Sequence, residues 1–168
     1  MFATSEGIVS GLIQARFGGR GTDFNVNGIP TYSLPIKIED SPIETVSYAL
    51  VLEDKDAYPV TGGFVWIHWL AANITRNELK ENESQTAHDF IQGSNSWTSI
   101  QGNQQNKELS SFYGGMTPSD GDHTYEIHVY ALNKLLNLEQ GFLLNTLYRE
   151  MAGNILEEYT LKGIYEKI

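Results

Sequence analysis

The chain has 168 residues, 21 acidic against 11 basic, and a formal net charge of −10. That length suits one domain, residues 1–168, and buries roughly 70% of the surface of the unfolded chain, enough for a core without staples. The lack of cysteine excludes disulfides, thiol nucleophiles and Cys-based metal sites. The excess of carboxylates opposes nucleic acid and anionic membrane surfaces, whose affinity comes from Lys and Arg.

Residues 7–35 are rich in Gly, Asn and Pro. Gly18-Gly19-Arg20-Gly21 and Asn27-Gly28-Ile29-Pro30 read as turns, leaving room only for short extended pieces. Ser47 to Leu52 is a compact apolar run, too short for an independent helix, and reads as a buried strand. Phe64 to Ile74 is a second, aromatic and β-branched strand entered through Thr61-Gly62-Gly63, and period two groups Trp66, His68 and Leu70. The longest apolar stretch, Phe64 to Ala72, is broken by His68 and is far below the roughly 20 residues of a spanning helix, so no transmembrane segment is expected. No leader of basic and then apolar residues precedes Arg16, and a cytoplasmic location is expected.

Gly93 to Ser111, dominated by Gln, Asn, Ser, Thr and Gly, reads as a long surface loop. Tyr125 to Leu132 is a third strand, with Tyr125, Ile127, Val129 and Ala131 on one face and Glu126, His128 and Tyr130 on the other. Leu143, Leu147 and Met151, widened by Phe142 and Leu144, give the stripe of an amphipathic helix, with a stop at Gly153-Asn154 and extended chain from Tyr159 to Tyr165. The helix serves core packing or, where exposed, a homodimer. Short strands with one or two peripheral helices predict a mainly β fold, an antiparallel sandwich of two sheets.

Chemistry concentrates at strand ends. Asp54 and Asp56 follow the first buried strand, His68 lies in the second, and His123 precedes the third. Such a set suits a metal site, acid–base catalysis or an anion pocket. The spacing matches no compact metal motif, and no Gly-x-Ser-x-Gly elbow supplies a nucleophile. For the anion pocket, Tyr113-Gly114-Gly115 is a turn whose glycines admit close approach to backbone amides. Asp120-Gly121, His123 and Tyr125 follow directly. His88 and His128 read as surface or sheet residues, and Glu78 to Glu83 as a solvated acidic face.

Two separated motifs resemble the phosphatidylethanolamine-binding protein family, in its bacterial Raf-kinase-inhibitor-like branch. The first is Asp54-Lys55-Asp56-Ala57-Tyr58-Pro59 followed by Trp66-Ile67-His68-Trp69. The second is Tyr113-Gly114-Gly115-Met116, then Pro118, Gly121, His123-Thr124-Tyr125 and Tyr130-Ala131-Leu132. Weaker echoes at Ser33-Leu34-Pro35 and Leu161-Lys162-Gly163-Ile164-Tyr165 extend the likeness to nearly the whole chain. The resemblance implies a two-sheet sandwich with a small anion pocket lined by Asp54, Asp56, His68, Gly114, Gly115, His123 and Tyr125, and no established enzymatic step or cofactor. Lys55 and Met116 stand where the family has prolines: Lys55 adds a cation at the pocket rim, and Met116 frees an N–H.

Three functions follow as expectations. The first is a binding or regulatory module for a phosphoryl or carboxylate group, in which the aspartates orient the imidazoles. The second is a metal-assisted hydrolase using the same Asp and His set. The third, suggested by the family's inhibitor members, is an interaction protein that contacts a kinase or protease through the polar loop around Trp97.

Overall fold

In the computed structural model, which describes residues 1–168, the short runs become ten strands. They are β1 Phe2–Thr4, β2 Ile8–Val9, β3 Leu12–Ile13, β4 Ile36–Glu39, β5 Ser47–Asp54, β6 Trp66–Ile74, β7 Glu78–Leu79, β8 Ile91–Gly93, β9 His123–Leu132 and β10 Ile155–Tyr165. Three single-turn helices, α1 Tyr58–Thr61, α2 Glu83–Thr86 and α3 Lys107–Ser110, and the longer α4 Leu144–Met151 lie between them. The strands form a three-stranded sheet, β1-β4-β7, and a seven-stranded sheet, β2-β3-β10-β9-β5-β6-β8. The fold is a mainly β two-sheet sandwich, as the sequence predicts. Its pairings are antiparallel except where β10 meets β3 in parallel at Ile164 and Leu12.

Every residue of β5 is buried because both faces of the large sheet are covered. Leu50 and Leu52 join Trp69, Ile127, Val129 and the small sheet's Ile36 and Ile38 in the core between the sheets. Ala49 and Val51 face the other way, onto Leu70, Leu132, Leu136, Phe142, Leu147 and Met151. A strand covered on both sides loses the alternation that marks a half-buried one, which is why Ser47 to Leu52 reads as a continuous apolar run. Each of these aliphatic side chains contributes about 1.5–3 kcal/mol on burial.

The structure corrects three local readings. Phe64 precedes β6, its N–H donating to Thr61 Oγ1 at 2.9 Å. Within β6, Leu52 pairs with Trp69 and Glu53 with Ile67, so His68 is an extra residue without a partner on β5. This bulge breaks period two, and Leu70 packs under the α4 side rather than beside Trp66 and His68. In the C-terminal helix Leu147 and Met151 are buried, as is Phe142 before it, but Leu143 has extended backbone at the helix start and is 52% exposed.

The polar segment from Gly93 to Ser111 is folded by its own short side chains. Asn95 Oδ1 accepts the Trp97 N–H at 3.1 Å, and Asn106 Oδ1 accepts the Glu108 N–H at 2.8 Å as the cap of α3. Those bonds turn Trp97 inward, where it is buried. No helix is long and apolar enough to cross a membrane.

Candidate ligand-binding site

Three neighbouring strands end together. Asp54, the last residue of β5, lies opposite Tyr125 of β9 and Trp66 of β6. The register therefore gathers Asp54, Trp66, His68, His123 and Tyr125 at one end of the large sheet, around a cavity of about 180 Å³. Val60 and Thr61 from α1, Trp97 and Gln101 from the folded loop, and Thr117, Pro118 and Ser119 complete the wall. None of the lining residues is Lys or Arg.

Asp54 is 3% exposed and uses both oxygens. Oδ1 accepts the Ala57 N–H at 3.1 Å as the chain turns into α1, and Oδ2 lies 2.7 Å from His123 Nδ1. The second nitrogen of His123, Nε2, meets Asp120 Oδ1 at 2.8 Å. Burial favours the neutral ring, but the hydrogen bonds to Asp54 and Asp120 outweigh it and lift the pKa of His123 above 6.5. A carboxylate oxygen faces each nitrogen, an arrangement that only the imidazolium satisfies by donating from both.

His68 behaves in the opposite way. Its Nδ1 lies 2.7 Å from the carbonyl oxygen of Gly114, which only accepts, so Nδ1 carries the hydrogen. Burial pushes its pKa below 6.5 against the pull of the Asp54 charge. The neutral ring then has a bare Nε2, which makes no hydrogen bond within the chain. Aromatic rings hold it in place: Trp97 and Tyr125 stand edge-on to His68 at 5.4 and 5.2 Å, and Trp66 and Trp97 meet edge-on at 5.1 Å. Burial, followed by the Asp54 charge, keeps the Tyr125 hydroxyl protonated.

Of the residues expected at the pocket, Asp54, His68, His123 and Tyr125 line it, whereas Asp56, Gly114 and Gly115 do not. Asp56 is exposed and accepts the Thr124 N–H at 2.8 Å, bracing the start of β9. The glycine amides are already spent, Gly114 N–H on the His68 carbonyl and Gly115 N–H on that of Pro30. Gly114 is needed instead for close packing, since a Cβ there would lie 2.3 Å from the Trp97 ring. Lys55 does not reach the rim: its ammonium pairs with Glu126 and Glu53 on the outer face of the sheet. Met116 fills the core, and its carbonyl accepts the Gly19 N–H at 2.8 Å. Sequence reasoning missed Trp66 and Trp97 as pocket walls and Asp120 as an acceptor. The Asp120-x-x-His123 spacing was a usable signal for the last.

Glu53, Glu126 and His128 also bring ligand-type atoms within 4.8 Å of one another, on the outer face. Lys55 and Lys162 already neutralise them, and Glu126 is held down to about 2, first by Lys162 and then by Lys55.

The fold and this pocket define a class: a β-sandwich binding protein with a small, carboxylate-floored cavity where three strands of its larger sheet end. The phosphatidylethanolamine-binding protein family matches residues 6–166, and the chain belongs to that family. It is 44% identical over 138 residues to YxkA of Bacillus subtilis strain 168, covering 80% of this chain and 82% of that one. The crystal structure of CT736, a phosphatidylethanolamine-binding protein homologue of Chlamydia trachomatis, superposes with a TM-score of 0.79 at 28% identity, over 99% of this chain and 97% of the other. The fold also matches YbcL of E. coli, with a TM-score of 0.74 at 21% identity, over 99% of this chain and 98% of that one.

Proposed function

We propose that the protein is a binding module whose pocket holds a small phosphoryl or carboxylate group without transforming it. The observation that supports this most directly is His123: a buried imidazolium, fixed by Asp54 and already donating to a carboxylate at its outer nitrogen. A cavity of about 180 Å³ suits a small head group. With no Lys or Arg in the wall, the positive charge for an anion comes from His123, and from His68 once that ring takes a proton.

Binding is therefore expected to weaken as pH rises through the raised pKa of His123. It should strengthen further as pH falls through the lowered pKa of His68, which gains an N–H only on protonation. The reading that the loop around Trp97 contacts a kinase or protease loses its main support, because Trp97 is turned into the pocket wall.

The test is an NMR titration of the histidine rings with inorganic phosphate, phosphoethanolamine and zinc in separate series, with His68→Ala and His123→Ala as controls. Saturable phosphate shifts that fade with rising pH and vanish in His123→Ala are the expected result. Stoichiometric zinc binding with no phosphate response at any pH would overturn the reading and bring the metal-assisted hydrolase forward.

A further inference from the structure

Resting on the anion reading of the pocket, the geometry points to Asp120 as a tethered carboxylate that holds the anion position until a ligand displaces it. His123 has two N–H groups and both are taken within the chain, at 2.7 Å by Asp54 and 2.8 Å by Asp120. An external anion gains a hydrogen bond from this ring only when one carboxylate leaves. Asp54 is not free to go: it is buried at the end of the central strand, and its other oxygen holds the Ala57 N–H. Asp120 is. Its side chain is 41% exposed, and its contact with His123 is its one bond to another residue.

The loop is built to let that one residue move. On one side the Pro118 carbonyl accepts the Ile168 N–H at 3.0 Å, and on the other Asp122 Oδ1 accepts the Lys167 N–H at 2.9 Å. Between these pins only Ser119, Asp120 and Gly121 remain, and a Cβ on Gly121 would meet nothing within 4 Å. Thr117, Pro118 and Ser119 form pocket wall, and Asp120 follows them directly in the chain without lining the cavity itself, so its swing frees the Nε2–H of His123, which does line it. The groups facing His123 are Asp54, Asp120 and the rings of Tyr125 and His68, with Lys167 near Asp120; no Lys or Arg in the pocket wall offers the ligand another anchor. Asp120 thus sets a threshold, because the apparent affinity is the intrinsic affinity multiplied by the fraction of molecules in which it is withdrawn. It also sets specificity, since an anion displaces it best when it offers more acceptor oxygens than one carboxylate, as a phosphate does.

The experiment titrates inorganic phosphate into the wild type, Asp120→Ala, Asp120→Asn and His123→Ala, following the histidine rings by NMR. Removing Asp120 also takes one stabilising charge from His123, so the comparison is made near pH 6, where Asp54 still favours the imidazolium. Asp120→Ala is expected to bind phosphate roughly tenfold more tightly than the wild type, as for a site closed about nine-tenths of the time. Asp120→Asn should fall between them. In the wild type, saturating phosphate should move the Asp120 carboxyl carbon signal to that of a free carboxylate. Equal or weaker binding in Asp120→Ala, with binding still lost in His123→Ala, would overturn the tether and leave the anion pocket standing. A folded wild type and a folded Asp120→Ala that both ignore phosphate would overturn the tether and the anion pocket together.

Discussion

Strand β9 carries two histidines five residues apart that meet the same kinds of neighbour and differ in what else is present. His128, on the outer face, sits with Glu53 and Glu126, and the exposed Lys55 and Lys162 complete a network whose charges cancel. His123, at the strand end, sits between Asp54 and Asp120 and lines a cavity whose wall holds no lysine or arginine. Residue type alone does not separate a site from a surface network. What separates them is whether lysines balance the carboxylates and how deeply the ring is buried. In the network each carboxylate is met by a solvated lysine, so each pair is worth little. In the pocket one buried imidazolium carries the whole positive charge, and each bond to it matters.

Three substitutions sharpen that contrast. Asp54→Ala removes the fixed partner of His123 and the acceptor of the Ala57 N–H. The expected loss is about 3 kcal/mol of stability in urea unfolding, together with phosphate binding. A loss below about 1 kcal/mol would break the claim that the pocket is held by its buried pair. Gly114→Ala drives a methyl into the Trp97 ring and should cost about 2 kcal/mol by overpacking. The melting temperature measures it, and a neutral result would mean that Trp97 is not a fixed wall. Lys55→Ala, in the outer network, should cost less than about 1 kcal/mol, with the difference shrinking in high salt. It should leave the ring signals of His68 and His123 where they are; a shift of either signal in this variant would erase the distinction between the two regions.

Much of this pocket is legible in the sequence because strand ends are. Asp54, His123 and Tyr125 stand at the ends of apolar runs and His68 lies near the start of one, and antiparallel pairing of those runs brings these ends together. The readings that fail depend on events that local pattern does not encode. Leu70 changes face because His68 is an extra residue in its strand, and a bulge has no signature in apolar spacing. Gly114 and Gly115 look like an amide cradle, yet their N–H groups are consumed by carbonyls of residues 46 and 85 positions away. The polar segment from Gly93 lacks the apolar content of a packed unit, but Asn95 and Asn106 fold it by capping their own backbone. Asp56, adjacent to the pocket in sequence, is drawn off by the Thr124 amide.

The edge-on pair of Trp66 and Trp97, with His68 beside the second ring, has a practical meaning. Indole emission depends on nearby charge, because the excited ring is more polar than the ground state. Protonation of His68 sets a positive charge beside Trp97. The chain thus carries an intrinsic optical probe at the floor of its cavity. Arrival of a ligand, and of the proton that accompanies it, should register as a change of colour and intensity in unlabelled protein, quickly enough to time the opening of the site.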